Sequence, residues 1–124
     1  MNDGKQQSHI KRAQKESQLL KEMSTLLMKV TMEEASLRSL FINRVALSPD
    51  RSVCYIYFYN SDGEKAFQDL LPTLILYKPS LRKALSTAIP SRYTPELCFQ
   101  FDKQFEKQMR IDTLLQKIKE EDKL

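Results

Sequence analysis

A chain of 124 residues is long enough for one domain with a single core, and its 41% hydrophobic and 29% charged residues suit a globular protein rather than a disordered one. No apolar run approaches the ~20 residues that span a bilayer, and Met1-Asn2-Asp3-Gly4-Lys5-Gln6-Gln7 holds no signal-peptide core, so a cytoplasmic protein without a membrane partner is expected. The net charge of +4 favours an anionic partner without naming one.

From about His9 to Val30, Leu19, Leu20, Met23, Leu26, Leu27 and Val30 recur at spacings of three and four, the apolar stripe of a helix; Lys11, Arg12, Lys15 and Lys21 lie on its polar face. A less regular connector, Thr31 to Ser39, leads to two strands rich in β-branched and aromatic residues, Phe41 to Leu47 and Val53 to Tyr59. Ser48-Pro49-Asp50-Arg51 between them reads as a hairpin turn. Alternation along the second strand puts Cys54, Ile56 and Phe58 on the core face and Tyr55, Tyr57 and Tyr59 on the less buried one.

Phe67, Leu70, Leu71, Leu74 and Ile75 form a second helical stripe, which Pro72 is expected to kink or split. Pro79 suits the first turn of a further helix with Leu81, Ala84, Leu85, Ala88 and Ile89 as its stripe, ended by Pro90. A third strand, Leu97 to Phe101, points Leu97, Phe99 and Phe101 inward and Cys98 outward. A disulfide from Cys98 to the inward-facing Cys54 is therefore not expected. A last helix, about Glu106 to Glu120, carries Ile111, Leu114, Leu115 and Ile118. Together these elements predict an α+β fold in the order α-β-β-α-(kink)-α-β-α, with 1–8 as a flexible start, 9–119 as a single domain and 120–124 as a frayed end.

Little in this sequence supports catalysis. The lone histidine, His9, sits near the N-terminus without a partner, and two glycines, Gly4 and Gly63, cannot build a phosphate-binding glycine loop. One histidine and two cysteines on different strands make no zinc site. No enzyme, cofactor, metal or small-molecule substrate is expected.

Charge is more informative. The 26 residues from Leu70 to Pro95 contain no acid, while Lys78, Arg82, Lys83 and Arg92 give them a local charge of +4. The other 16 basic residues balance all 16 acidic ones. Lys78, Arg82 and Lys83 lie off the apolar stripe near a helix N-terminus, whose backbone N–H groups add donors for a phosphate. Replacing Arg82 and Lys83 should therefore spare the fold. Phosphate-backbone contacts need charge and reach, which these side chains supply, although a solvated helix face would show the same pattern. Lys11, Arg12 and Lys15 form a second basic patch. The tyrosine stripe fits cross-strand packing, stacking on unpaired bases, or a protein–protein adaptor surface.

Five ordered segments resemble ribosome-binding factor A. They are Arg44-Val45-Ala46-Leu47-Ser48-Pro49-Asp50, Ile56-Tyr57, Ser80-Leu81-Arg82-Lys83-Ala84-Leu85, Tyr93-Thr94-Pro95-Glu96-Leu97-Cys98-Phe99-Gln100-Phe101-Asp102 and Arg110-Ile111-Asp112-Thr113-Leu114-Leu115. Pro95-Glu96-Leu97, Phe99 and Asp102 are the most specific part. The resemblance implies a type II KH-like domain, helices covering one face of a three-stranded sheet. It also implies a late assembly factor that binds small-subunit (16S) rRNA transiently, with links to 5′-end processing and growth in the cold. On that reading Lys78, Arg82, Lys83 and Arg92 contact RNA, Arg44, Lys11, Arg12 and Lys15 are secondary contacts, the partner is the small ribosomal subunit, and the protein is a monomer. Two departures from the family pattern stand out. Tyr77-Lys78-Pro79 occupies the place of an Ala-x-Gly break, and Glu33-Glu34-Ala35-Ser36-Leu37 replaces an Asp-Pro segment.

Overall fold

The computed structural model describes residues 3–122, with side chains described over 10–122. The expected loose ends, 1–8 and 120–124, fall partly outside that range, and so does the His9 side chain. The elements are α1 (Asp3–Glu33), a 3₁₀ turn (Ala35–Ser39), β1 (Phe41–Leu47), β2 (Val53–Tyr59), α2 (Glu64–Leu76), α3 (Lys78–Ala88), β3 (Glu96–Phe101) and α4 (Lys103–Asp122). Both α1 and α4 are longer than their apolar stripes predicted. The connector after α1 is short and ordered, with Leu37 of its 3₁₀ turn fully buried.

The three strands form one mixed sheet in the order β1-β2-β3, antiparallel between β1 and β2 and parallel between β2 and β3. The core lies on one face. Leu19, Met23 and Leu27 of α1, Phe67 and Leu74 of α2, and Leu81 and Leu85 of α3 pack there against Cys54, Ile56 and Phe58 of β2 and Leu97, Phe99 and Phe101 of β3. Burying each such apolar side chain contributes roughly 1.5–3 kcal/mol. The alternation predicted for β2 holds, with Tyr55, Tyr57 and Tyr59 half-buried on the other face. Cys54 is buried, Cys98 half-buried, and both are free thiols.

Three particulars differ from the sequence expectation. Pro72 does not split its helix. It lies inside α2, where it removes the hydrogen bond a residue there would donate to the Gln68 carbonyl, and the break falls at Tyr77. Pro79, in the first turn of α3, explains that position, because it lacks the N–H that would donate to the Ile75 carbonyl and so interrupts the hydrogen-bond ladder continuing from α2. The second difference is a bulge in β1. Pairing runs from Ile42 opposite Phe58 directly to Arg44 opposite Tyr57, leaving Asn43 as the extra residue.

The third concerns α4, whose stripe does not join the core. Ile111, Leu114, Leu115 and Ile118 are between 42% and 59% exposed, so α1, α2 and α3 alone cover the sheet. The first turn of α4 is nevertheless anchored. Asp102 caps it by accepting the Phe105 N–H at 3.1 Å, and the Phe105 ring meets Tyr59 edge-on at 4.8 Å.

Candidate nucleic-acid interface

The turn between β1 and β2 is built by polar side chains. Asp50 Oδ1 accepts from Ser48 Oγ (2.8 Å), Ser52 N–H (3.0 Å) and Ser52 Oγ (2.7 Å), and the Arg51 N–H donates to the Ser48 carbonyl at 2.9 Å. Those donors, the Ser52 hydroxyl first, lower the Asp50 pKa to about 2, so it stays ionised. Arg51 takes φ 62°, a left-handed conformation that the turn imposes on a non-glycine residue.

Between α3 and β3 the chain runs through 89–95 without regular structure. Arg82 holds it in place. Its Nη2 donates to the Thr94 carbonyl at 2.8 Å and its Nε to the Pro95 carbonyl at 3.2 Å, with Glu96 Oε1 3.7 Å away. Ser91 Oγ donates to the Tyr93 carbonyl at 2.8 Å. The expectation that Arg82 could be replaced without cost to the fold is therefore corrected: although off the apolar stripe, it fastens α3 to the start of β3.

This connector brings together three of the four predicted principal cations. Arg82, Lys83 and Arg92 line one groove of about 430 Å³ with Pro79, Tyr93 and Thr94. Arg92 also lines a second groove, about 370 Å³, shared with Lys15 of α1 and with Arg51. Lys78 faces elsewhere, its ammonium 5.4 Å from the centre of the Phe99 ring. Lys11 is exposed on α1, and Arg12 is half-buried and engaged in an interaction of its own.

Arg44 belongs to a separate cluster on the tyrosine face. Its Nε donates to Asp102 Oδ2 at 2.8 Å, its Nη2 to Oδ1 at 3.3 Å, and its guanidinium lies 3.8 Å above the Tyr57 ring. Asn43 Nδ2, displayed by the bulge, donates to the same Oδ2 at 2.9 Å. The hydrogen bond to Asp102 raises the Arg44 pKa against the effect of burial. This guanidinium is thus committed to holding β1 against the start of α4.

Two residues of the basic surface were not singled out from sequence. Arg51 was hidden in a turn read only for its Pro and Asp. Tyr93 had a signal available: it is an aromatic residue in a connector, belonging to no apolar stripe. Among the described residues no three His, Cys, Asp or Glu side chains are grouped to hold a metal, and no helix is long and apolar enough to cross a membrane.

The architecture and the sequence both find counterparts. A family model described as ribosome-binding factor A matches residues 11–115. The ribosome-binding factor A of Prochlorococcus marinus subsp. pastoris is 34% identical over 110 residues, covering 87% of this chain and 83% of that one. That of Syntrophomonas wolfei is 34% identical over 86 residues, covering 69% and 70%. Among solved structures, ribosome-binding factor A from Thermus thermophilus superposes with a TM-score of 0.62 at 27% identity, covering 73% of this chain and 93% of that chain. The shared architecture is the type II KH-like one, a three-stranded sheet with helices on one face.

Proposed function

The chain belongs to the ribosome-binding factor A family, and on that premise we propose that it binds small-subunit rRNA transiently and assists late maturation of the small ribosomal subunit, including 5′-end processing of its pre-rRNA. It works in the cytoplasm as a monomer, with no cofactor, and acts by occupying and shaping an rRNA site rather than by bond chemistry. The observation that carries this reading is the groove between α3 and the α3–β3 connector, where Arg82, Lys83 and Arg92 meet inside the acid-free stretch. Three cations at one concave surface supply the charge that phosphate-backbone contacts need, and the positive end of α3 adds to them.

The test is binding to small-subunit rRNA across a salt series, together with cosedimentation with free small subunits. Three phosphate contacts, from Arg82, Lys83 and Arg92, predict a log–log slope of about −2 for single-stranded RNA. Lys83→Glu combined with Arg92→Glu leaves the Arg82 clasp untouched and should abolish cosedimentation. A slope near zero, or full cosedimentation of that double variant, would overturn the reading.

A further inference from the structure

Tyr93 is the most exposed aromatic ring among the described residues, 75% accessible, at the middle of the α3–β3 connector. It also divides the basic surface in two. The groove on one side carries Arg82 and Lys83, the groove on the other carries Lys15 and Arg51, and Arg92 lines both, its guanidinium carbon 5.5 Å from the Tyr93 ring centre. The ring offers its apolar area to solvent while its backbone is fixed rather than loose. Ser91 Oγ holds the Tyr93 carbonyl, and Arg82 holds the carbonyl of the next residue.

An exposed aromatic ring on a held backbone, with cations on both flanks, is what single-stranded nucleic acid uses, one base stacking on the ring while its neighbouring phosphates reach the charges. Duplex RNA keeps its bases stacked on one another and offers no open face. The second groove contains one carboxylate, Asp50, against the three cations Lys15, Arg51 and Arg92. That carboxylate has one oxygen occupied by three hydrogen bonds within its own turn, and the groove keeps a surplus of positive charge.

We propose that Tyr93 is the stacking platform for an unpaired RNA base, with Arg51 and Lys15 holding the phosphate on one side and Lys83 the phosphate on the other. This deepens the RNA reading above and rests on it. It assigns single-stranded RNA to the connector and gives a binding role to Arg51, whose strained conformation points to a position the turn must maintain.

The test uses the full chain with a fluorescein-labelled single-stranded RNA of mixed sequence and a duplex RNA of equal length, read by anisotropy. Single strand should bind more tightly than duplex. Tyr93→Ala should weaken single-strand binding about tenfold or more, and Tyr93→Phe should recover it, because the ring and not the hydroxyl does the stacking. Arg51→Ala should flatten the salt slope by about 0.7. Far-ultraviolet dichroism of Tyr93→Ala should match the wild type, since the ring is mostly exposed. Wild-type binding that Tyr93→Ala leaves intact, a preference for duplex, or a Phe variant as weak as the Ala variant would each overturn the platform while the RNA-binding function stands. A wild-type chain that binds neither RNA would overturn both.

Discussion

Asp102 and Arg44 form an ion pair in which the carboxylate is completely buried and the guanidinium is not: Nε and Oδ2 are 2.8 Å apart, with side-chain exposures of 1% and 42%. The same carboxylate accepts from Asn43 and from the Phe105 N–H, and its own backbone N–H donates to the Phe58 carbonyl at 2.8 Å. One residue thereby joins the bulge of β1 and the first turn of α4 through its side chain and the end of β2 through its backbone. Removing Arg44 strands a buried charge with only part of its hydrogen bonding. Arg44→Ala should lower stability by about 2–3 kcal/mol in urea unfolding, less than for a fully buried pair because water reaches the guanidinium.

The pair also sets the acid response. Burial pushes the Asp102 pKa up, but the hydrogen bonds from Arg44, Asn43 and Phe105 outweigh it, and the result lies below the usual carboxylate range. The native state therefore holds this proton more weakly than the unfolded chain. Its stabilisation is complete above the ordinary carboxylate pKa of about 4 and is lost as pH falls through the lower native value. Asp50 titrates with the same sign, ending at about 2. Denaturant midpoints measured from pH 6 down to 2 should fall steeply in the wild type and less steeply in Asp102→Asn, with the residual slope belonging partly to Asp50.

Arg82 and Lys83 are adjacent in sequence and should separate in experiment. Arg82→Gln loses the bonds to the Thr94 and Pro95 carbonyls and should cost about 1 kcal/mol of stability as well as RNA affinity. Lys83→Gln should lower RNA affinity and leave the unfolding midpoint within error. Equal midpoints for the two variants would show that the clasp does not constrain the connector in solution.

The two thiols should differ in reactivity. Burial, with the Glu16 charge adding to it, pushes the Cys54 pKa up to about 12, whereas Cys98 is half-buried on the opposite face of the sheet. A thiol-titrating reagent should modify Cys98 alone in the native protein and reach Cys54 only after denaturant is added. Rapid titration of both thiols in the native state would contradict the packing of Cys54 under the helices.

Much of the architecture follows from local pattern. The strict alternation of Val53 to Tyr59 fixes which face of β2 is buried, and the spacing of Leu81, Leu85 and Ile89 fixes the inner side of α3 and its exit. The bulge was also legible in principle. Ile42, Val45 and Leu47 cannot share one face of a regular strand, because the first two are three residues apart, and one extra residue resolves the conflict. What the pattern did not reveal is which polar side chains are already engaged. Arg44 and Arg82 look like Lys83 in a charge count, yet their partners, the Asp102 carboxylate and two backbone carbonyls, are brought near only by long-range folding. The α4 stripe shows the converse limit: Ile111, Leu114, Leu115 and Ile118 announce a helix face without announcing a neighbour to cover it.

That uncovered helix bears on how cooperatively the molecule melts. Beyond its capped first turn α4 has no buried residue, and most of a helix's stability in a protein comes from packing an apolar face. Its loss should not wait for the core. On heating, far-ultraviolet ellipticity should begin to decline before the near-ultraviolet signal of the packed rings Phe58, Phe67 and Phe99, so the two transitions will not coincide. The sheet and its three covering helices form the all-or-none unit, and α4 is a separate, weaker one.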